Sequence, residues 1–423
     1  MSNVVATIAS RFRSTAQSLW AGGTGWILIA VGAGWAFSIG VRFIYPTLVP
    51  SIRADFGIGL STTGLLLTLL WASYAIGHVP GGILGDYLGP GKILTLSATV
   101  STAAVLLVAT AVNTGVLFVA TVSFGLATAL YGPTRFTVLT DIYPDQSGSA
   151  IGLSMAAGNV GNAVFPVVAA AVAGLIGWRA GFGVFVPLFA LVAVGLWVLV
   201  PARTSEPTAS ASATATDSSS AGMIRRLWEA IDSGKILAVV AIQVSISFII
   251  QGFASFYPVY LIEAKGVAPA TAATLFGGFF ALGVVIQPAS GSLMDRLGMR
   301  TTLIGFLSGC VLALWLLPLA SGLLPLVGVT ALFAAWNGTA VVTQTYIAET
   351  LPADMQGTGL GTLKAGWMLL GATAPLLVGF LADTGLFDQA FFVLAGVGSI
   401  GVTLAVTTLP GRSQVTMPSP TQD

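Results

Sequence analysis

Apolar residues run along this chain in long unbroken stretches, without the alternation of a half-buried strand or the narrow stripe of an amphipathic helix. Twelve such stretches fall near residues 26–49, 62–84, 93–112, 116–139, 149–176, 182–200, 236–260, 271–294, 301–319, 323–347, 358–381 and 390–409. Each holds about 20 residues, enough for a helix to cross roughly 30 Å of hydrocarbon. No water reaches that depth, so the backbone must pair within its own segment or in a closed barrel, and continuous hydrophobicity selects helices. The pattern predicts an all-α membrane protein with twelve transmembrane helices.

Charge fixes the orientation. With the N-terminus inside, the inner side collects Arg11, Arg13, Lys92, Arg203, Arg225, Arg226, Lys235, Arg296, Arg300 and Arg412, whereas the outer side has Arg53, Arg179 and Lys265. The positive-inside rule then predicts a multi-pass cell-membrane protein with both termini cytoplasmic. Arg11 and Arg13 lie well ahead of the first span, which is too long for a signal-peptide core and reads as a retained helix. Only 7% of the residues are charged, and a net charge of +1 gives no reason to expect a nucleic-acid partner. One cysteine, Cys310, and one histidine, His78, exclude an intramolecular disulfide and any metal site built on several thiolates or imidazoles. No phosphate-binding Gly-rich loop and no nucleophile–histidine arrangement occurs, so neither an enzyme nor a cofactor is expected.

Between spans six and seven the composition turns to Ser, Thr and Ala over residues 204–220, a tether in character, followed by residues 223–231 with apolar positions at helical spacing. The latter reads equally as a surface helix or as an extension of span seven. The expected organisation is a cytoplasmic segment 1–22, a six-helix bundle 23–202, a cytoplasmic linker 203–234, a second six-helix bundle 235–410 and a tail 411–423. A repeat supports the two halves. Gly82-Ile-Leu-Gly-Asp86-Tyr-Leu-Gly89 recurs as Gly291-Ser-Leu-Met-Asp295-Arg-Leu-Gly298, an offset of 209 residues. The same offset carries Gly148 to Gly357, Gly152 to Gly361 and Pro166 to Pro375. Carriers made of two such halves place substrate near the midplane.

These residues resemble the major facilitator superfamily over nearly the whole chain. Its signature between helices two and three is Gly-x-Leu-x-Asp-Arg-x-Gly-Arg-Arg/Lys. The first copy keeps Gly82, Leu84, Asp86, Gly89 and Lys92 but has Tyr87 and Pro90 where basic residues are usual. The second copy is fuller, with Gly291, Leu293, Asp295, Arg296, Gly298 and Arg300. The glycines are expected to allow close approach of helix ends, and Asp86 and Asp295 to accept hydrogen bonds from a neighbouring helix N-terminus, a latch on the inner face. The resemblance implies a rocking carrier whose cavity is lined by spans one, four, seven and ten, acting as a monomer on a small molecule.

Within those spans, Arg42 lies deep in span one with Ser38 and Tyr45 on its face. A guanidinium there is costly unless it meets water or a partner, and its planar fork suits an anion. The alternatives are snorkelling or a pair with Asp55. The segment Arg42-Phe-Ile-Tyr-Pro-Thr-Leu-Val-Pro50 looks like span one of the superfamily's organophosphate and organic-anion carriers. In those relatives an arginine near this point contacts the anionic head. Offset by 209, Arg42 maps to Gln251, flanked by Ser247 and Ser255, and one Arg with one Gln suits a monocarboxylate-like anion better than a phosphate dianion. Arg135 maps to Gln344; by helical height it falls some 15 Å below Arg42, too far for a joint clamp, and is expected in the inner vestibule, gating with Asp141 or pairing structurally. Asn337, on one face with Gln344, is a further cavity candidate, and Tyr131, Trp336 and Tyr257 supply walls. No acid lies at mid-membrane, which favours exchange or facilitated movement; His78 is the one side chain there suited to a proton switch, or else a packing element. The function expected is transport of a small organic anion by alternating access. Drug efflux is the alternative, with Gly158-Asn-Val-Gly161-Asn-Ala-Val-Phe-Pro166 a partial match to the antiporter motif of span five; a non-transporting membrane sensor is another.

Overall fold

A computed structural model describes residues 19–20, 23–204, 234–340, 342–343 and 356–409. Gln344, the stretch 223–231, most of the expected linker, most of the N-terminal segment and the whole tail 411–423 lie outside them. Among the described residues the regular structure is helical, and twelve helices are long and apolar enough to cross a membrane. Span one is α1 (Gly25–Gly40) and α2 (Ile44–Phe56), joined by a 3₁₀ turn at Val41–Phe43. Then follow α3 (Leu60–Leu88), α4 (Pro90–Ala109), α5 (Thr114–Ile142), α6 (Ser147–Ile176), the short α7 (Trp178–Gly183) and α8 (Phe185–Leu199). The second half has α9 (Gly234–Glu263), α10 (Pro269–Leu297), α11 (Met299–Leu316), α12 (Leu323–Phe333), α13 (Gln356–Gly371), α14 (Ala374–Asp383) and α15 (Phe387–Thr408). Leu175, Leu191, Trp197 and Leu324 are exposed, as lipid-facing side chains must be.

The repeat reappears in the backbone. Gly57 (φ +65°) ends α2 and Gly266 (φ +66°) follows α9; Gly89 (φ +98°) precedes α4 and Gly298 (φ +82°) precedes α11. Each pair is separated by the 209 residues of the sequence repeat. Positive φ is the conformation that a side chain opposes, so these glycines set where the helices stop. This revises the role of the motif glycines. A Cβ on Gly82 or Gly291 would meet nothing within 4 Å, so neither serves close approach, whereas Gly89 supplies the turn and Gly85 packs on Thr134.

Two compact units emerge. One takes the described residues within Met1–Ile58, Leu69–Asp217 and Ala268–Gly277; the other takes those within Gly59–Thr68, Ser218–Val267 and Gly278–Asp423. The segments Gly59–Thr68 and Ala268–Gly277, the first turns of α3 and α10, are themselves related by the 209-residue offset. In the first unit, Phe276 packs 5.9 Å from Phe43, and Gly277 sits so close to α6 that a Cβ would lie 2.3 Å from the Ala163 carbonyl oxygen. In the second unit, Asp383 accepts hydrogen bonds from the backbone N–H of Leu60 (3.0 Å) and Ser61 (3.3 Å), and Thr68 Oγ1 accepts from Leu376 N–H. Asp383 thus makes a carboxylate-on-helix contact of the kind expected of Asp86 and Asp295, both of which are exposed.

Each unit has an aromatic core. In the first, Phe37, Phe165, Phe185 and Phe189 pack together, with Phe37 4.8 Å from Phe165. In the second, Phe253 stacks on Phe333 at 3.7 Å and on Tyr257 at 4.4 Å. The helices approach closely through glycines: α1 meets α6 where a Cβ on Gly161 would fall 2.4 Å from the Ala36 carbonyl oxygen. Gly161→Val should therefore force the helices apart and cost about 1–3 kcal/mol. It should lower the melting temperature of the purified protein in detergent, whereas Gly152→Ala, at an open helical position, should leave it unchanged or higher.

Candidate substrate site

The Arg42 site begins with a stripe of glycines. Gly77, Gly81 and Gly85 recur one turn apart on α3, and Cβ atoms there would lie 2.6 Å from Ala129 Cβ, 3.0 Å from Leu130 Cα and 2.9 Å from Thr134 Cγ2. Their absence lets α3 lie directly on α5. That closeness carries Trp71, Tyr74 and His78, at positions i, i+3 and i+7 of one face, against the 3₁₀ turn of span one and against α5.

Arg42 sits in the 3₁₀ turn of span one and is 1% exposed. Its guanidinium carbon lies 3.4 Å from the centroid of the Tyr74 ring and 5.2 Å from that of Trp71. Nη2 donates to Thr128 Oγ1 at 3.0 Å and to the Ser38 carbonyl at 3.4 Å, while Nε has no acceptor. The Ser38 hydroxyl is likewise buried without a partner. Two faces of aromatic charge offset part of the desolvation, at about 0.5–2 kcal/mol each, and leave the full positive charge in place. No carboxylate among the described residues pairs with it. Asp55 instead forms an ion pair with Arg179 at 2.5 Å and accepts from Trp178 Nε1, which removes the pairing alternative. Tyr45 is fully buried between Phe124 and Phe182.

Arg135, on α5, is 3% exposed. Its guanidinium carbon lies 3.5 Å from the Trp35 ring centroid and 4.4 Å from that of Phe136, and its Nε and Nη1 have no acceptor. The expected gate with Asp141 is not formed; Asp141 accepts a short hydrogen bond from Thr204 instead. The tyrosine wall is present: Tyr131 stacks on Trp35 and donates to the Val31 carbonyl at 2.9 Å. Gly34 and Gly158 make room for these rings, since a Cβ on Gly34 would lie 2.1 Å from the Tyr131 hydroxyl and one on Gly158 2.3 Å from Trp35 Nε1.

The two arginines form rungs of one ladder. Trp35 and Arg42 are seven residues apart on span one, as are Thr128 and Arg135 on α5, about 10 Å in either helix. Helical side chains lean toward the N-terminus, and α1 and α5 run antiparallel, so the two guanidiniums lean toward each other. Cα heights alone therefore overstate their separation. Tyr74 interacts electrostatically with both.

Among the described residues the second unit has no buried arginine. Gln251 donates through Nε2 to Ser247 Oγ and to the Met368 carbonyl, both at 3.0 Å, and its Oε1 is buried without a partner. Asn337, at the repeat position of Thr128, donates to the carbonyls of Ala334 (3.0 Å) and Phe279 (3.4 Å), pinning the break after α12 to α10. It is a structural fastener, with no contact to Gln251. Tyr257 hydrogen-bonds Thr330, and Trp336 packs 6.1 Å from Phe279. At the signature turns, Arg203 donates to the Tyr87 carbonyl at 2.8 Å and Arg300 donates to the Val406 carbonyl. Both bonds tie the turn to the end of the half's last helix, with donor and acceptor exchanged, so the first copy needs no arginine at position 91, the mate of Arg300.

The sequence profile of the Major Facilitator Superfamily matches residues 27–343 and 266–421. The chain belongs to the Major Facilitator Superfamily. It is 25% identical over 389 residues to the probable sulfoacetate transporter SauU of Cupriavidus necator, covering 83% of this chain and 86% of that protein. It is 27% identical over 147 residues to the multidrug resistance protein MdtG of Serratia proteamaculans, covering 34% of this chain and 36% of that one. Among solved structures, a bacterial homolog to the human lysosomal transporter Spinster superposes with a TM-score of 0.76 at 15% identity, over 91% of this chain and 97% of the other. The D-xylose-proton symporter superposes with a TM-score of 0.75 at 13% identity, over 91% and 98%. The superfamily's twelve-helix fold is thus the fold of this chain, and its members here are transporters of small molecules across membranes, not enzymes.

Superfamily resemblance directed attention to spans one, four, seven and ten, and so passed over Trp71 and Tyr74 on span two. The signal was present as Trp71-x-x-Tyr74-x-x-x-His78 beside the Gly77–Gly81–Gly85 stripe, one aromatic and polar face next to one small face. Because Arg135 keeps buried donors unmet, Arg135→Met should raise the detergent melting temperature by a few degrees, the behaviour of a buried charge retained for function at a cost of about 1–4 kcal/mol. A lower melting temperature would identify Arg135 as a structural element.

Proposed function

We infer that this transporter carries a small organic anion with a monovalent head group, a carboxylate or a sulfonate, by alternating access, with Arg42 as the principal contact. The observation that carries this reading is a guanidinium buried on two aromatic rings with no acidic partner among the described residues. Such a charge is stabilised by an arriving anion, which meets donors already oriented and desolvated. Arg135 offers the next station about 10 Å along, and the repeat mate of Arg42 is the neutral Gln251, which suits a head group of one charge better than a phosphate head that carries two. The likeness to SauU, named for sulfoacetate, supports an anion of this class.

The drug-efflux reading has less support. The likeness to MdtG spans 34% of this chain, and the Gly158–Gly161 run that suggested it seats Trp35 and the α1 backbone. The excess of basic residues on one side supports a cell-membrane protein with both termini cytoplasmic.

Counterflow into proteoliposomes tests the assignment with a monocarboxylate, sulfoacetate and a phosphate ester as competing solutes. Monocarboxylate or sulfoacetate should exchange, and Arg42→Ala should lower the rate at least about ten-fold, as loss of a charged hydrogen bond of about 1.5–3 kcal/mol requires. Preference for the phosphate ester, or full activity in Arg42→Ala, would sink it.

A further inference from the structure

We propose that the substrate is a short two-headed dianion, its acid groups joined through one or two carbons and held by Arg42 and Arg135 together; this rests on the anion reading of Arg42. The observation behind it is a strip of buried donors without acceptors. Arg42 Nε, the Ser38 hydroxyl, and Nε and Nη1 of Arg135 are all buried and unpartnered. Ser38 stands three residues after Trp35, whose ring carries the Arg135 guanidinium, and four before Arg42. All of these residues lie in the first unit. Two carboxylates considered for them are engaged elsewhere, Asp55 by Arg179 and Asp141 by Thr204. The acceptors that complete the strip must then come from a ligand.

Spacing sets the length of that ligand. Arg42 reaches back along its own span, with Nη2 3.4 Å from the Ser38 carbonyl oxygen, and across to Thr128 at 3.0 Å. The Arg135 guanidinium lies 3.5 Å from the centroid of Trp35, which stacks on Tyr131, three residues along α5 from Thr128. The two guanidiniums thus stand one to two helical turns apart, about 10 Å at the widest. A charge-assisted contact with N···O near about 2.8 Å puts the central atom of an acid group about 4 Å from the guanidinium carbon. Two such contacts leave room for heads only about 2–4 Å apart, bridged by one or two carbons. Charge gives the same answer. A monoanion on Arg42 leaves Arg135 as a buried cation without a partner, whereas a second acid group on the same molecule neutralises it. A phosphate ester carries its two charges on one head and reaches one rung. A long diacid must buckle or leave one head away from its guanidinium.

Calorimetric titration of the purified transporter with acetate, malonate, succinate, adipate and suberate tests this, at about pH 8 where every carboxylate is ionised. Malonate or succinate should bind about ten-fold or more tighter than acetate, the gain of a second charge-assisted contact, and adipate and suberate should fall back toward acetate. Arg135→Gln should bring malonate and acetate to the same affinity. Arg135→Met should do likewise and serves if Arg135→Gln fails to fold; the length series in the wild type decides even without either variant. Equal binding of acetate and malonate would overturn the proposal. So would an affinity that stays level from malonate to suberate, which is charge attraction without a two-point hold, or a malonate advantage that survives in both variants. Arg42→Ala separates the two readings. Acetate binding that this variant abolishes, without a malonate advantage in the wild type, sinks the two-headed substrate alone. No binding of any of these acids, or binding unchanged in Arg42→Ala, removes the anion reading as well.

Discussion

A guanidinium held in a membrane-spanning helix must be offset by something, and here the offset is aromatic. Arg42 lies on Tyr74 and near Trp71, and Arg135 lies on Trp35 and near Phe136. Ring faces attract a cation without neutralising it. The charge is therefore tolerated and remains available, which an aspartate at the same place would prevent. Everything particular about the first unit follows from keeping those rings where they are. Thr128 fixes the Arg42 fork, and Tyr131 braces Trp35 through the Val31 carbonyl. The hydroxyl and guanidinium donors left without acceptors mark the face on which a ligand would complete the site.

Glycine makes that arrangement possible. The rings are large and the helices touch, so space must come from positions without side chains. Gly34 and Gly158 admit Tyr131 and Trp35, and Gly77, Gly81 and Gly85 bring α3 onto α5. In a bilayer, apolar side chains gain little by leaving lipid for one another, and close backbone packing is the chief attraction between helices. The same glycines that hold the bundle together thus determine how near Tyr74 and His78 stand to the arginines. A glycine run in span five that resembles a motif for drug antiport is, by this geometry, the floor of an arginine site.

The two halves show how a duplicated design diverges. Their helix-ending glycines, Gly57 with Gly266 and Gly89 with Gly298, remain in register. Their chemistry does not: Arg42 corresponds to Gln251, and Thr128 to Asn337, which has turned to fasten a broken helix. Even the arginine at the signature turn has changed sides, reaching from Arg203 toward the turn in one half and from Arg300 away from it in the other. The bond at the turn is retained although the residue is not, because either strand of the contact can supply the donor.

Hydrophobic length determined the twelve spans, and the 209-residue offset determined the doubled design, because both depend on local chain properties that the bilayer reads directly. The depth of Arg42, and the lack of any acid beside it in sequence, were equally legible. Which group would meet it was not. Pairing of Asp55 with Arg179 and of Asp141 with Thr204, the packing of Tyr45 and the nearness of Arg135 all depend on side-chain direction and helix contact. Tyr74 joined the site only because α3 lies directly against α5. Residue spacing sets which side chains share a face, and only the packing of one helix on another decides what that face meets.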